Sequence, residues 1–95
     1  VIQSKAFLKL ALLSVSQDRY SEALGYFDKY SQTKGYQTLQ KKEKGRQVLF
    51  LLQKLQKSPT NPLLLNDLGS LALLEEDNKV AEELFQKALK KWLFL

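Results

Sequence analysis

Five cations, Lys34, Lys41, Lys42, Lys44 and Arg46, fall within a short stretch of this chain, and three carboxylates, Glu75, Glu76 and Asp77, stand in a row farther on. The first group could hold phosphate through an attraction that salt would screen. Stacking of bases would need aromatic rings interleaved with the cations, and Tyr36 is the sole aromatic nearby. The basic patch Lys41, Lys42, Lys44 and Arg46 therefore reads as a solvated face, better suited to an acidic protein partner than to nucleic acid. The carboxylate run could divide acid and base duties only if burial or a charged neighbour pushed two pKa values apart. It falls instead at an expected turn between helices, where hydration accounts for it.

The remaining chemistry is limited by what the chain lacks. It has no His and no Cys, so the usual general base, the commonest metal ligand and the thiolate nucleophile are all missing. Its four glycines, Gly25, Gly35, Gly45 and Gly69, are isolated and build no phosphate-cradling loop. The expectation is a non-enzyme with no catalytic residue, no cofactor and no metal.

Side chains of this kind must be positioned by helices. Gly and Pro number only 4 and 2, Leu and Lys are abundant, and 44% of the 95 residues are hydrophobic, which favours one all-α domain over residues 1–95. The first helix, about Ser4–Ser16, carries Phe7, Leu10, Ala11 and Ser14 at helical spacing. Asp18 suits the N-cap of a second helix, whose buried stripe is Tyr20, Ala23, Leu24, Phe27 and Tyr30, with Gly35 as its left-handed stop. Asn61 and Pro62 open another helix that runs to about Leu74. A last one starts at Asp77 or Asn78 and stacks Val80, Ala81, Leu84, Phe85, Ala88, Leu89 and Trp92 on one side. Between the two pairs, Val48, Leu49, Leu52 and Leu55 form a stripe, while Gln40–Gln47 has no apolar side chain. One helix from near Tyr36 to Lys57 is expected there, against a linker around Gly45. The longest apolar run, Val48–Leu52, is far short of the roughly 20 residues that a membrane span requires.

The two helix pairs share a template. One reads Phe7-x-x-Leu10-Ala11-x-x-Ser14, then Tyr20-x-x-Ala23-x-x-x-Phe27. The other reads Leu65-x-x-Leu68-Gly69-x-x-Ala72, then Ala81-x-x-x-Phe85-x-x-Ala88. This resembles the tetratricopeptide repeat, an antiparallel helix pair about 34 residues long. The resemblance implies a short α-solenoid of antiparallel hairpins, about five helices in all. Residues 4–36 and 62–95 would be the repeat-like hairpins, and 37–61 a long or irregular middle helix. In the resembled family, small residues let the paired axes approach, here Ala11 with Ala23 and Gly69 with Ala81. Leu10 with Phe27, and Leu68 with Phe85, fill the space beside them, and Ala88 belongs to the same packing set.

The resemblance further implies a non-catalytic protein-interaction module, an adaptor or scaffold that binds a helix or peptide on its concave face. Mapped by template, that groove takes Lys5, Leu8, Leu12, Val15 and Ser16 from the first repeat, and Leu63, Asn66, Ser70, Leu73 and Leu74 from the last. Leu8, Leu12 and Asp67 stand where chaperone-docking members place a carboxylate clamp, so that clamp is not expected. The groove leucines would equally suit a face buried against another helix of the same chain. Two alternatives remain: a dedicated chaperone of a secreted or assembly subunit, and a basic-patch binder of nucleic acid or an acidic partner. The apolar tail Trp92–Leu95 lacks the polar outer face of a capping helix, so the expectation is either that the parent chain continues beyond Leu95 or that the tail buries against a second copy; a homodimer, with or without exchange of the middle helix, is expected.

Overall fold

The computed structural model describes residues 2–33, 36 and 39–93, with the side chains of 2–4 and 39–41 outside that description. The stop expected at Gly35, Lys34 and the side chain of Lys41 from the cation cluster, and Phe94 and Leu95 of the tail lie outside the described residues. The described chain is all-α, with five helices: α1 (Ile2–Ser16), α2 (Tyr20–Ser31), α3 (Leu39–Lys57), α4 (Pro62–Leu74) and α5 (Asn78–Leu93). Helices adjacent in sequence pack together, as antiparallel hairpins require. The middle segment is one helix rather than a linker, and it begins at Leu39.

Local signals explain the boundaries. The Leu63 amide donates to Asn61 Oδ1 at 3.0 Å, and Pro62 occupies the first helical position, where its missing N–H costs nothing. The first helix of each hairpin ends in the same way. Arg19 N–H donates to Ser14 O at 2.8 Å and Asp18 N–H to Val15 O at 3.1 Å. Asp77 N–H donates to Ala72 O, and Glu76 N–H to Leu73 O, each at 2.9 Å. This nested pair of bonds is a Schellman stop, and its left-handed residue is Asp18 (φ 62°) in one hairpin and Glu76 (φ 60°) in the other. The expected role of Asp18 is thereby corrected. Arg19 holds the N-cap position of α2 with no side-chain cap, because Asp18 is already committed to terminating α1.

The core draws on all five helices: Leu8, Leu12 and Val15 from α1, Ala23, Phe27 and Tyr30 from α2, and Val48, Leu52 and Leu55 from α3, with the inner faces of α4 and α5. Ala11, Ala23, Leu68, Gly69, Ala81 and Ala88 are buried. A Cβ on Gly69 would lie 2.7 Å from the half-buried Phe85 ring, so the glycine makes room for that ring. Gly45, in the stretch expected to be solvated, is buried for the same kind of reason: a Cβ there would collide with the Tyr36 ring. Tyr36 completes an aromatic cluster with Phe27 and Tyr30, at centroid separations of 6.4 and 5.3 Å. Leu10 departs from its expected place beside Phe27, being 37% exposed at the margin of its pair.

One further association shapes the molecule. α1 lies on α5 and touches α4, so the two hairpins meet directly as well as through α3. The radius of gyration is 12.6 Å, close to the roughly 12 Å of a compact domain this long. The stripe of α3 that exchange between copies would have to move is buried within the chain.

Candidate functional site

The face expected to form one groove is divided by the meeting of α1 with α5. Leu8 is 2% exposed, and Leu12 and Val15 are wholly buried. These three are core residues and line no open groove. The reason is that the second hairpin covers that side of α1. Lys5 stays exposed and Ser16 half-buried.

On α4 the corresponding face is open. Leu63, Asn66, Ser70, Leu73 and Leu74 are all exposed, Leu74 at 71%. The Ser70 hydroxyl donates to Asn66 O at 3.2 Å, so it is satisfied locally, while Asn66 and Asp67 are exposed between the leucines. A hollow of about 330 Å³ lies between α3 and α4, lined by Gln47, Phe50, Leu51, Asp67, Ser70, Leu71 and Leu74. On the other side of α4 a hollow of about 310 Å³ is lined by Pro62, Leu63, Asn66, Phe85, Ala88, Leu89 and Trp92. A larger one, about 620 Å³, lies by α5 and the end of α1, but Glu83, Lys87, Lys90 and Lys91 are among its lining residues. Size does not select the docking face here. Exposed apolar side chains at the first two hollows do.

Three contributors to these hollows escape the sequence reading. Leu89 (57% exposed) and Trp92 (60%) were expected on one side of α5 with Val80, Ala81, Leu84, Phe85 and Ala88. Both are surface residues, whereas Val80, Ala81, Leu84 and Ala88 of the same helix are buried. Phe50 (55% exposed) lies out of phase with the stripe Val48, Leu52 and Leu55. An aromatic on the polar side of an amphipathic helix was the signal available for it.

The charged residues also separate. Lys44 Nζ pairs with Glu75 Oε1, and the Glu75 side chain is only 12% exposed. Lys44 therefore belongs to a bridge between α3 and the end of α4 and is not a free member of the basic patch. Glu75 is correspondingly not the solvated turn residue expected. Arg46 is exposed and Lys42 half-buried. Lys54 Nζ lies over the Phe50 ring, 4.7 Å from its centroid. The chain's net charge of +5 equals that of the α3 segment, which counts Lys41, Lys42, Lys44, Arg46, Lys54 and Lys57 against the one acidic residue Glu43; cations and carboxylates balance over the rest.

A second polar bridge joins the hairpins. Lys87 Nζ on α5 donates to Ser16 O at 3.2 Å and Val15 O at 3.4 Å, and pairs with Asp18. A cation thus meets the carbonyl end of α1. The Asp18 carboxyl is held below its ordinary pKa chiefly by the Lys87 hydrogen bond, against a smaller opposing effect of burial. Tyr20 donates to Asp18 Oδ1 at 3.0 Å, and burial, then that carboxylate, push its phenol up to about 12. These groups fasten the fold and form no reactive constellation. Among the described residues, no cluster of three His, Cys, Asp or Glu side chains could hold a metal ion. No helix among them is long and apolar enough to cross a membrane.

No protein-family model matches the chain, and no curated protein or solved structure matches it significantly.

Proposed function

We propose that this chain is a non-catalytic protein-interaction module of tetratricopeptide type, an adaptor or scaffold segment that binds a partner's helix or peptide along α4. The observation that carries the reading is the set of exposed leucines, Leu63, Leu73 and Leu74, on the outer face of α4, with hollows on either side. Each such side chain stabilises a complex by about 1 to 2 kcal/mol when fully covered. The rigid support beneath comes from Leu64, Leu65 and Leu68, buried on the opposite side of the same helix. An α4 built this way keeps its shape while its outer side chains change partners. The template shared by the two hairpins supports the assignment to repeat proteins that hold other polypeptides.

The test is retention of partners by the chain, identified by mass spectrometry, with and without Leu73→Glu and Leu74→Glu. Loss of retention with unchanged far-ultraviolet circular dichroism and unchanged Tm is expected. Retention of the same partners by both variants would overturn α4 as the docking face.

A further inference from the structure

The α3–α4 hollow has two unlike edges. Its floor is apolar, built from Phe50, Leu51, Leu71 and Leu74. Along its α3 edge, Arg46, Phe50 and Lys54 recur at four-residue spacing, which sets them in a line on one side of the helix. Lys57 extends that line, and all four residues are exposed. Over a rise of about 1.5 Å per residue, Arg46 to Lys57 spans about 16 Å, some three turns of a helix lying alongside. No carboxylate among the described residues forms an ion pair with Arg46, Lys54 or Lys57. The α4 wall presents the opposite sign, through Asp67.

We propose that this hollow receives an amphipathic helix of a partner protein, with its apolar face on Phe50, Leu71 and Leu74 and an acidic flank turned toward α3. The proposal rests on α4 being the docking face and adds the chemistry of what docks there. Charge complementarity selects the occupant. Carboxylates at four-residue spacing on the partner meet Arg46 and Lys54, while its other flank, toward Asp67, is neutral or basic. That asymmetry fixes which way round the helix lies. A second copy of this chain brings the same excess of positive charge, which opposes its docking. A nucleic acid would meet an apolar floor with one aromatic ring, where stacking needs several.

Two labelled synthetic helices of about 18 residues, sharing one leucine face and flanked by either Glu or Lys, test this against the full-length chain by fluorescence anisotropy. The Glu-flanked helix is expected to bind at least about tenfold more tightly near 50 mM salt, and the margin shrinks as salt screens the pairs. Arg46→Glu with Lys54→Glu is expected to reverse the order; both sites are exposed, so the fold persists. Equal binding of both helices, abolished by Leu74→Glu, overturns the acidic partner while leaving the docking face intact. Binding of neither helix overturns both readings. Tighter binding of an oligothymidylate than of the Glu-flanked helix, or dimerisation that blocks the helix, overturns the proposal in favour of nucleic acid or a second copy.

Discussion

Leu12 and Leu74 carry identical side chains and were both expected in one groove, so truncating each to alanine tests how the structure separates them. Leu12→Ala removes three carbons from a site that is 0% exposed. At about 0.8 kcal/mol per buried carbon, the transfer loss is about 2.4 kcal/mol. The cavity left among rigid neighbours raises the total to about 3 to 4 kcal/mol. Leu74 is 71% exposed, so less than a third of that transfer loss applies, about 0.7 kcal/mol, and the higher helix propensity of alanine offsets part of it. In a domain this size each kcal/mol moves Tm by about 4 to 8 °C. Leu12→Ala should therefore lower Tm by about 12 to 32 °C and Leu74→Ala by less than about 5 °C. Thermal unfolding followed by circular dichroism, with urea titration for the free energies, measures both. Equal losses, or a Leu12 loss under about 1 kcal/mol, would refute the burial of α1 beneath the second hairpin.

Three further perturbations follow from the described bonds. Lys87→Met removes one charged donor that bonds two carbonyls at the end of α1, and a loss of about 1.5 to 3 kcal/mol in urea unfolding is expected. A double-mutant cycle with Asp18→Asn should attribute at most about 1 kcal/mol to the pair itself, because the Asp18 side chain is 64% exposed; coupling above about 2 kcal/mol would contradict this. Glu76→Gly relieves a left-handed backbone at a position with no side-chain bond among the described residues, and should raise stability by about 0.5 to 1 kcal/mol. Asp18→Gly, which loses the Lys87 pair, should gain less. For Tyr20, the folded pKa of about 12 stands above the ordinary tyrosine value of about 10. Its contribution to stability is complete below pH 10 and is lost as pH rises toward 12. Carbon-13 NMR of labelled tyrosine should show the Tyr20 midpoint falling in Asp18→Asn; an unmoved midpoint would remove the carboxylate as a cause.

The helices were legible because their signals are local. Asn61-Pro62 marks a start by capping chemistry, and the apolar spacing of α2 and α3 marks their buried stripes. Two outcomes were not legible for a common reason: they depend on partners distant in sequence. Leu8, Leu12 and Val15 look alike whether a groove or another helix lies over them, and only the meeting of α1 with α5 decides. Glu75 resembles any turn carboxylate until α3 brings Lys44 beside it. The left-handed stops were hidden too, because Asp18 and Glu76 occupy positions where glycine would have advertised them. Pro62 and the small pair Gly69 and Ala81 pointed correctly to α4 as a well-supported helix. Which of its outer neighbours stay uncovered required the three-dimensional arrangement.

The shared Schellman stop bears on how the molecule assembles. Each hairpin closes over a handful of residues, so both can form early and independently, whereas the Lys87 bond to Val15 joins positions 72 apart in sequence. We expect that long-range seam to zip last. Weakening it should then accelerate unfolding while leaving the refolding rate nearly untouched; stopped-flow traces in which refolding slows instead would place the seam in the nucleus.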